Sequence, residues 1–463
     1  MRVSPRAALW YPLKDIPTHI RPITMPRFSL PMFIVGLGSS LATAADWPQW
    51  MGPTRNGVWE EDGIALVFPQ GGPKKLWSVP IHGGYSGPAV VGGRVYVMDF
   101  AAEKDESENN PNKRNDIKGT ERLRCLDAAS GKEIWKHEYQ AHYSLSYPCG
   151  PRCTPTVDGD RVYSLGAMGH LFCLDAKTGE KIWAKDFPRD YKAPIPMWGF
   201  CGHPLVHKTL LICLVGGEGS LAVAFDKMTG KEVWKGLSSK DTGYCPPSLI
   251  QVHGKSELLI RCPNAIHSLN PSTGAKLWDV KLAPKYGMTI NAPQQYEDYL
   301  YAAGVGGQAV MLKLPMESGE IPTEHWRGGK DIGLFPSNAT PLISDGTLYG
   351  CDGMTGAFMA VDFATGKRLW ETQEPTTGTE DGLMHGTAFV VRNRSHHYIF
   401  NESGHLIIAK LTPEKYTELD RAKLIEPTGE AFGRKVVWSH PAFADKKIFV
   451  RNDKEIAAFD LAK

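Results

Sequence analysis

One tryptophan recurs along the chain, at Trp77, Trp135, Trp183, Trp234, Trp278, Trp326, Trp370 and Trp438, at intervals of 44 to 68 residues. Most copies close the same phrase. It reads CLDAASGKEIW to Trp135, CLDAKTGEKIW to Trp183, AFDKMTGKEVW to Trp234, SLNPSTGAKLW to Trp278 and AVDFATGKRLW to Trp370. A recurrence of this length marks a repeat architecture, in which each unit buries its apolar face only against its neighbours. The repeated residues then describe the frame. Function has to be sought in what differs between copies.

Each unit opens on a short strand led by Pro or a small residue, such as SGPAVV from Ser86, CTPTVD from Cys153 or SHPAFA from Ser439. A Gly- or Asp-containing turn leads to a second strand, for instance RVYVMD or KIFVRN, and another turn to a third, such as HLFCLD. An Asp/Asn-x-x-x-Gly turn then precedes the strand that carries the tryptophan. Alternating β-branched and aromatic runs bounded by Gly, Asn and Asp are strand and turn signals. The 48 glycines and 34 prolines suit many tight turns. Four strands per unit and eight openings predict an all-β, eight-bladed β-propeller of four-stranded antiparallel blades. The last unit ends after three strands, at Ile456–Lys463, and the first tryptophan strand, around Trp77, has no three strands before it. The ring is therefore expected to close by an N-terminal strand completing the last blade, which also removes open edges. Asp127, Asp175, Asp226 and Asp362, with Gly131, Gly179, Gly230 and Gly366, read as turn residues rather than as a phosphate-binding motif. Residues 101–122 and the stretch before Trp438 read as insertions, the first a charged mobile loop.

Residues 25–45, MPRFSLPMFIVGLGSSLATAA, have a basic start, an apolar run and a small-residue end, the anatomy of a signal peptide. The expected organisation is a leader over 1–45, with Met25 as the true start, and a propeller domain over 46–463. Periplasmic or secreted localisation follows, with no integral membrane segment in the mature chain and a monomeric state. The net charge of +2, from 52 basic and 50 acidic residues, argues against nucleic acid as a partner. Nine cysteines leave pairing open; Cys149 and Cys153 are close enough in sequence to pair, whereas Cys125 and Cys173 read as buried repeat positions.

The phrase AKTGEKIW and its variants resemble the tryptophan-docking repeat of pyrroloquinoline quinone (PQQ) dehydrogenases, and also that of the propeller subunit of the outer-membrane β-barrel assembly machinery. The run Asp46-Trp-Pro-Gln-Trp-Met-Gly-Pro-Thr-Arg-Asn-Gly57 resembles the opening of secreted PQQ-like propellers. The resemblance spans residues 46–463 and implies eight blades girdled by inter-blade tryptophans, all eight of those above included. It implies two functions. One is a binding or scaffold protein; the other is a PQQ-dependent alcohol or sugar dehydrogenase with PQQ and Ca²⁺ in the central funnel. The adjacent cysteine pair usual in such dehydrogenases is missing, as is Cys-x-x-Cys-His, and no run carries over their calcium ligands or catalytic aspartate.

In a propeller, the loops entering the first strands and the turns between second and third strands share one face. The unrepeated polar residues there are Arg152, His170, His203, Asn291, Asn338, Asp352, His385, Glu402 and His440, expected to bind a small molecule or protein partner at the funnel mouth. No metal set is expected, because the histidines come from different blades without ligand spacing.

Overall fold

The β-branched and aromatic alternation does produce strands, and their pairing is regular. The computed structural model describes residues 45–104, 108–378 and 382–463. The leader expected over 1–45 falls almost wholly outside them. Eight four-stranded antiparallel sheets follow one another as blades, the first seven in sequence order from the inner strand to the outer. Blade 1 comprises Ala89–Val91, Arg94–Ala102, Ile117–Asp127 and Glu133–Tyr143. Blade 8 is closed as expected: Lys75–Pro80 pairs antiparallel with Glu455–Asp460, placing Trp77 opposite Ala458. The described helical content is the five-residue helix Phe187–Tyr191 and the 3-10 turn Lys285–Gly287.

The joints between blades explain the repeated phrase. The indole N–H of Trp77 donates to the carbonyl of Ala128 in the next blade at 3.0 Å, and Trp135 donates to Ala176 at 3.3 Å. Trp183, Trp234, Trp326 and Trp370 make the equivalent bonds to Lys227, Pro271, Phe363 and Thr412, at 2.8 to 3.2 Å. Each ring lies on the turn of the following blade, so the turn glycine is needed twice. Gly179 holds φ +77°, and a Cβ there would stand 2.5 Å from the Trp135 ring. The Asp at the head of that turn caps it: Asp175 Oδ1 accepts from the Lys177 and Thr178 amides at 2.8 Å. These residues are structural, as the repeat implies.

Two joints are built differently. Blade 5 lacks the turn aspartate, and Trp278 donates instead to Glu257 Oε2 at 2.7 Å. That fully buried carboxylate also accepts from Ser268 at 2.6 Å, and from the Ser318 hydroxyl and Gly319 amide of blade 5 at 2.8 and 2.9 Å. Glu257 thus takes over the docking. In blade 7 the expectation for Trp438 is corrected. The outer strand is Tyr416–Lys423, inside the supposed insertion, and Asp420 stands opposite Ile408 at the bulge where other blades carry tryptophan. Asp420 Oδ2 accepts the Phe68 amide at 2.5 Å, so the N-terminal segment seals this joint. Trp438 follows an extra hairpin, Gly429–Ala431 with Arg434–Val436, and lies on the funnel. Residues 101–122 are also corrected in part. Ala101–Ala102 and Ile117–Arg122 are strand and lengthen blade 1, because buried Glu121 binds both the Tyr139 and Tyr143 hydroxyls and the Ala167 amide of blade 2.

Candidate functional site: a plugged aromatic funnel

The segment Asp46–Glu61 occupies the middle of the ring. Trp47 bonds Val90 of blade 1, the Pro48 carbonyl accepts from Val157 of blade 2, and Trp59 bonds Arg392 of blade 7. Arg55 donates to the carbonyls of His203 and Pro204 in blade 3, at 3.2 and 3.0 Å. Trp50 and Met51 pack with Cys245 and Ala292 of blades 4 and 5. A segment touching the inner rims of blades 1 to 5 and 7 has to cross the axis, so it stoppers the central channel. Its composition fits it for this role. Tryptophans anchor it, and Gly52 and Gly57 take φ of +84° and +71° where the chain doubles back.

Above the plug lies a cavity of about 810 Å³. Trp50 forms its base, and Tyr85, Tyr147, Trp198, Tyr244, Phe389, Phe432 and Trp438 stand around it. The elements that deliver them are the departures from the repeat. Trp198 comes on the loop after the Phe187–Tyr191 helix, Tyr147 on the loop leaving lengthened blade 1, and Phe432 on the tip of the extra hairpin. A pocket of this size with an aromatic lining and a few polar groups has the dimensions of a small-molecule site.

The polar groups at the base are two histidines flanking Trp50. The His203 ring stacks on it, with centroids 5.0 Å apart and planes at 11°; the His440 ring meets it edge-on at 6.4 Å. His203 Nδ1 accepts the Thr154 amide at 2.9 Å, so its proton resides on Nε2. His440 Nδ1 sits 3.2 Å from the Pro441 carbonyl, which can only accept, so its Nε2 is a bare acceptor. Burial pushes His440 down to about 4. It also holds His203 well below the ordinary histidine range, helped by the Arg55 charge. The base therefore presents a flat ring between one neutral donor and one neutral acceptor. His385 stacks on Phe432 at 4.9 Å, and its Nδ1 lies 2.5 Å from the Ser337 hydroxyl.

Of the residues singled out in the sequence, Arg152, His203, Asn338, His385 and His440 line this cavity together. The other four lie elsewhere. Asn291 is buried and ties blade 5 to blade 6 through the Ser337 and Ala339 carbonyls. Asp352 caps its own turn through the Met354 and Thr355 amides. His170 stands outside the lining, beside Tyr139 and 3.9 Å from Asp186. Glu402 is 4% exposed and braces the extra hairpin, accepting from Arg434 at 2.7 Å and from Trp438 at 3.1 Å. The aromatic lining was the larger omission. Its signal was present: Trp50 and Trp198 fall outside the repeat phase, and such residues cannot be explained by the frame. All nine cysteines are free; Cys149 lies 3.0 Å from Asp453, and Cys153 is buried beside Phe200.

The donor set can be tested against a quinone with calcium. Calcium takes six to eight oxygen ligands, mostly carboxylates and carbonyls. Among the described residues no three His, Cys, Asp or Glu side chains converge, and Asp241 is the sole carboxylate among the funnel-lining residues. The residues present do not fit that pair.

The blades and their tryptophan joints define a PQQ-like repeat propeller. Residues 119–372, more than half of the chain, match the family model described as outer membrane protein assembly factor BamB, and the chain belongs to that family. No curated protein matches it by sequence. Among solved structures, it is similar to quinohemoprotein alcohol dehydrogenase ADHIIG from Pseudomonas putida HK5. The identity is 13%, 90% of this chain and 80% of that one are covered, and the TM-score is 0.55. BamB from Moraxella catarrhalis is 15% identical over 84% of this chain and 97% of that one, with a TM-score of 0.37. At 13% identity the likeness to the dehydrogenase speaks to fold alone. Among the described residues no helix is long and apolar enough to cross a membrane.

Proposed function

We propose that this protein is an exported binding propeller that holds a small organic ligand in its funnel, with Arg152, His203, Asn338, His385 and His440 as polar contacts. The observation that carries this reading is the aromatic cavity of about 810 Å³ on a stoppered base. A closed base turns a channel into a cup, and the side chains that shape the cup are those the repeat does not require. The signal-peptide pattern in residues 25–45 supports export to the periplasm or beyond. The missing calcium donor set favours binding over quinone chemistry.

The test is ligand retention. Purified protein and the Trp50→Ala variant are denatured, and the released small molecules compared by mass spectrometry. A compound released in stoichiometric amount by the parent protein and lost from the variant is the expected result. Identical extracts would sink the proposal. Reconstitution with PQQ and Ca²⁺ provides the second arm. No bound quinone spectrum is expected, whereas stoichiometric quinone with dye reduction on an alcohol or aldose would replace this reading with the dehydrogenase one.

A further inference from the structure

Arg94, Arg368 and Arg451 bond carbonyls, but several arginines elsewhere in the molecule take carboxylates: Arg122 pairs with Asp99 at 2.5 Å, Arg327 with Glu324 at 2.6 Å and Arg421 with Glu418 at 2.8 Å. Four arginines around the funnel do not. Arg114 and Arg152 are on its wall. Arg114 donates to the Ser144, Ile195 and Pro196 carbonyls, and Arg152 to those of Ser146, Tyr147 and Gly150. Arg55 lies in the plug beneath, held by two carbonyls of blade 3. Arg261, 1% exposed and two residues before the lining Pro263, donates to the Asn291 and Ala303 carbonyls at 2.9 and 2.8 Å. Among the described residues none of the four has a carboxylate partner.

Carbonyl acceptors satisfy geometry but leave the charge standing. Burying a guanidinium without a counter-charge is costly, and here several N–H groups remain unbonded: Arg55 Nε, and Arg261 Nε and Nη2. On the lining itself Arg114 and Arg152 stand against one carboxylate, Asp241; behind it Glu402 is paired with Arg434, and buried Glu121 is bonded by the Tyr139 and Tyr143 hydroxyls. Low-dielectric walls focus such a field into the concavity.

We infer that the funnel takes an organic anion, an aromatic or otherwise flat apolar body carrying a carboxylate, sulfonate or phosphate group. The ring would lie on Trp50 and the acid group would face Arg114 and Arg152. The inference rests on the ligand-binding reading above and adds the sign of the ligand's charge.

Two fluorescent probes of nearly the same shape separate the claims: 8-anilinonaphthalene-1-sulfonate and N-phenyl-1-naphthylamine, which differ by the sulfonate. At low salt the sulfonate is expected to bind about tenfold tighter than the neutral amine, and the gap should close in concentrated NaCl. Arg114→Gln and Arg152→Gln should each weaken the sulfonate several-fold and leave the amine unchanged. Arg327→Gln, a surface control, should alter neither. Equal or tighter binding of the amine by the parent protein overturns the anion inference while leaving the ligand-binding function standing. Failure of both probes to bind overturns the two together. The comparison on the parent protein stands even if Arg152→Gln, which loses three carbonyl anchors, does not fold.

Discussion

At the scale of single residues, the joints between blades concentrate the stability. Glu257 is the clearest case, because one buried carboxylate serves four donors from two blades. Glu257→Ala would leave the Trp278 N–H and the Gly319 amide unbonded and should cost about 3 kcal/mol or more in urea unfolding; a loss under about half a kcal/mol would show that the joint does not depend on it. Gly179→Ala tests the regular joints. It meets both a left-handed φ and the Trp135 ring, whereas Gly159 has φ +59° with nothing within 4 Å of a Cβ. Gly179→Ala should therefore cost about 2 kcal/mol more than Gly159→Ala, the difference being the ring contact. Acid sensitivity has an identifiable source in His397. It is 3% exposed, both ring nitrogens lack partners, and burial with the nearby Arg392 charge pushes it from 6.5 down to about 4. Its folded-state value is lower, so the unfolded chain binds the extra proton between pH 4 and 6.5. Stability is complete above that window and declines through it as pH falls, by on the order of 3 kcal/mol from this group. His397→Leu should flatten that part of the pH–stability curve; an unchanged slope would assign the acid loss elsewhere.

At the scale of elements, the regular strands were legible and the irregular ones were not, for one physical reason. A strand inside a blade is specified by alternation and its bounding turns, both visible locally. What shapes the funnel is specified by long-range contacts. The charged run 101–122 looks like a solvated loop, yet from Ile117 it pairs as strand, where Glu121 finds two tyrosines of the neighbouring strand and the Ala167 amide of the next blade. The tryptophan at 438 looks like another outer-strand residue, yet the bulge position is taken by Asp420, whose partner Phe68 lies 352 residues away. The polar site residues were half legible: position in the blade identified the face, but not whether a side chain turned into the cavity or capped its own turn, as Asp352 does. Two substitutions separate plug from rim. Trp47→Ala empties a site 1% exposed and packed on Phe443, and should cost about 3–5 kcal/mol in thermal or urea unfolding. Phe432→Ala, at a side chain 43% exposed on the hairpin tip, should stay within about 0.5 kcal/mol of the parent while weakening funnel ligands. Equal losses of stability would mean the hairpin is part of the frame and not an addition to it.

At the scale of the whole molecule, the ring depends on neighbours rather than on chain order. Blade 8 draws three strands from the C-terminus and one, Lys75–Pro80, from near the start. Without that strand the edge of Glu455–Asp460 would be open, and open edges recruit other chains. The surrounding contacts also bring the ends of the described chain to one place. The Ala45 carbonyl accepts from Asp445, while Lys463 bonds Gly63 and Leu461 bonds Lys446, the residue after Asp445. A flexible linker of about eight Gly and Ser residues spans roughly 15 Å, enough to join Lys463 to Asp46. A circular permutant that begins at Ile81, runs to Lys463 and continues through this linker into residues 46–80 carries every blade, the plug and the closing strand in a new order. It should fold with the parent's circular dichroism and bind the same funnel probes, with its Tm within about 5 °C. The chain starting at Ile81 without residues 46–80 lacks both stopper and closing strand and should aggregate. If the permutant aggregated as well, closure would require the closing strand to come first in the chain, and pairing geometry alone would not account for the ring.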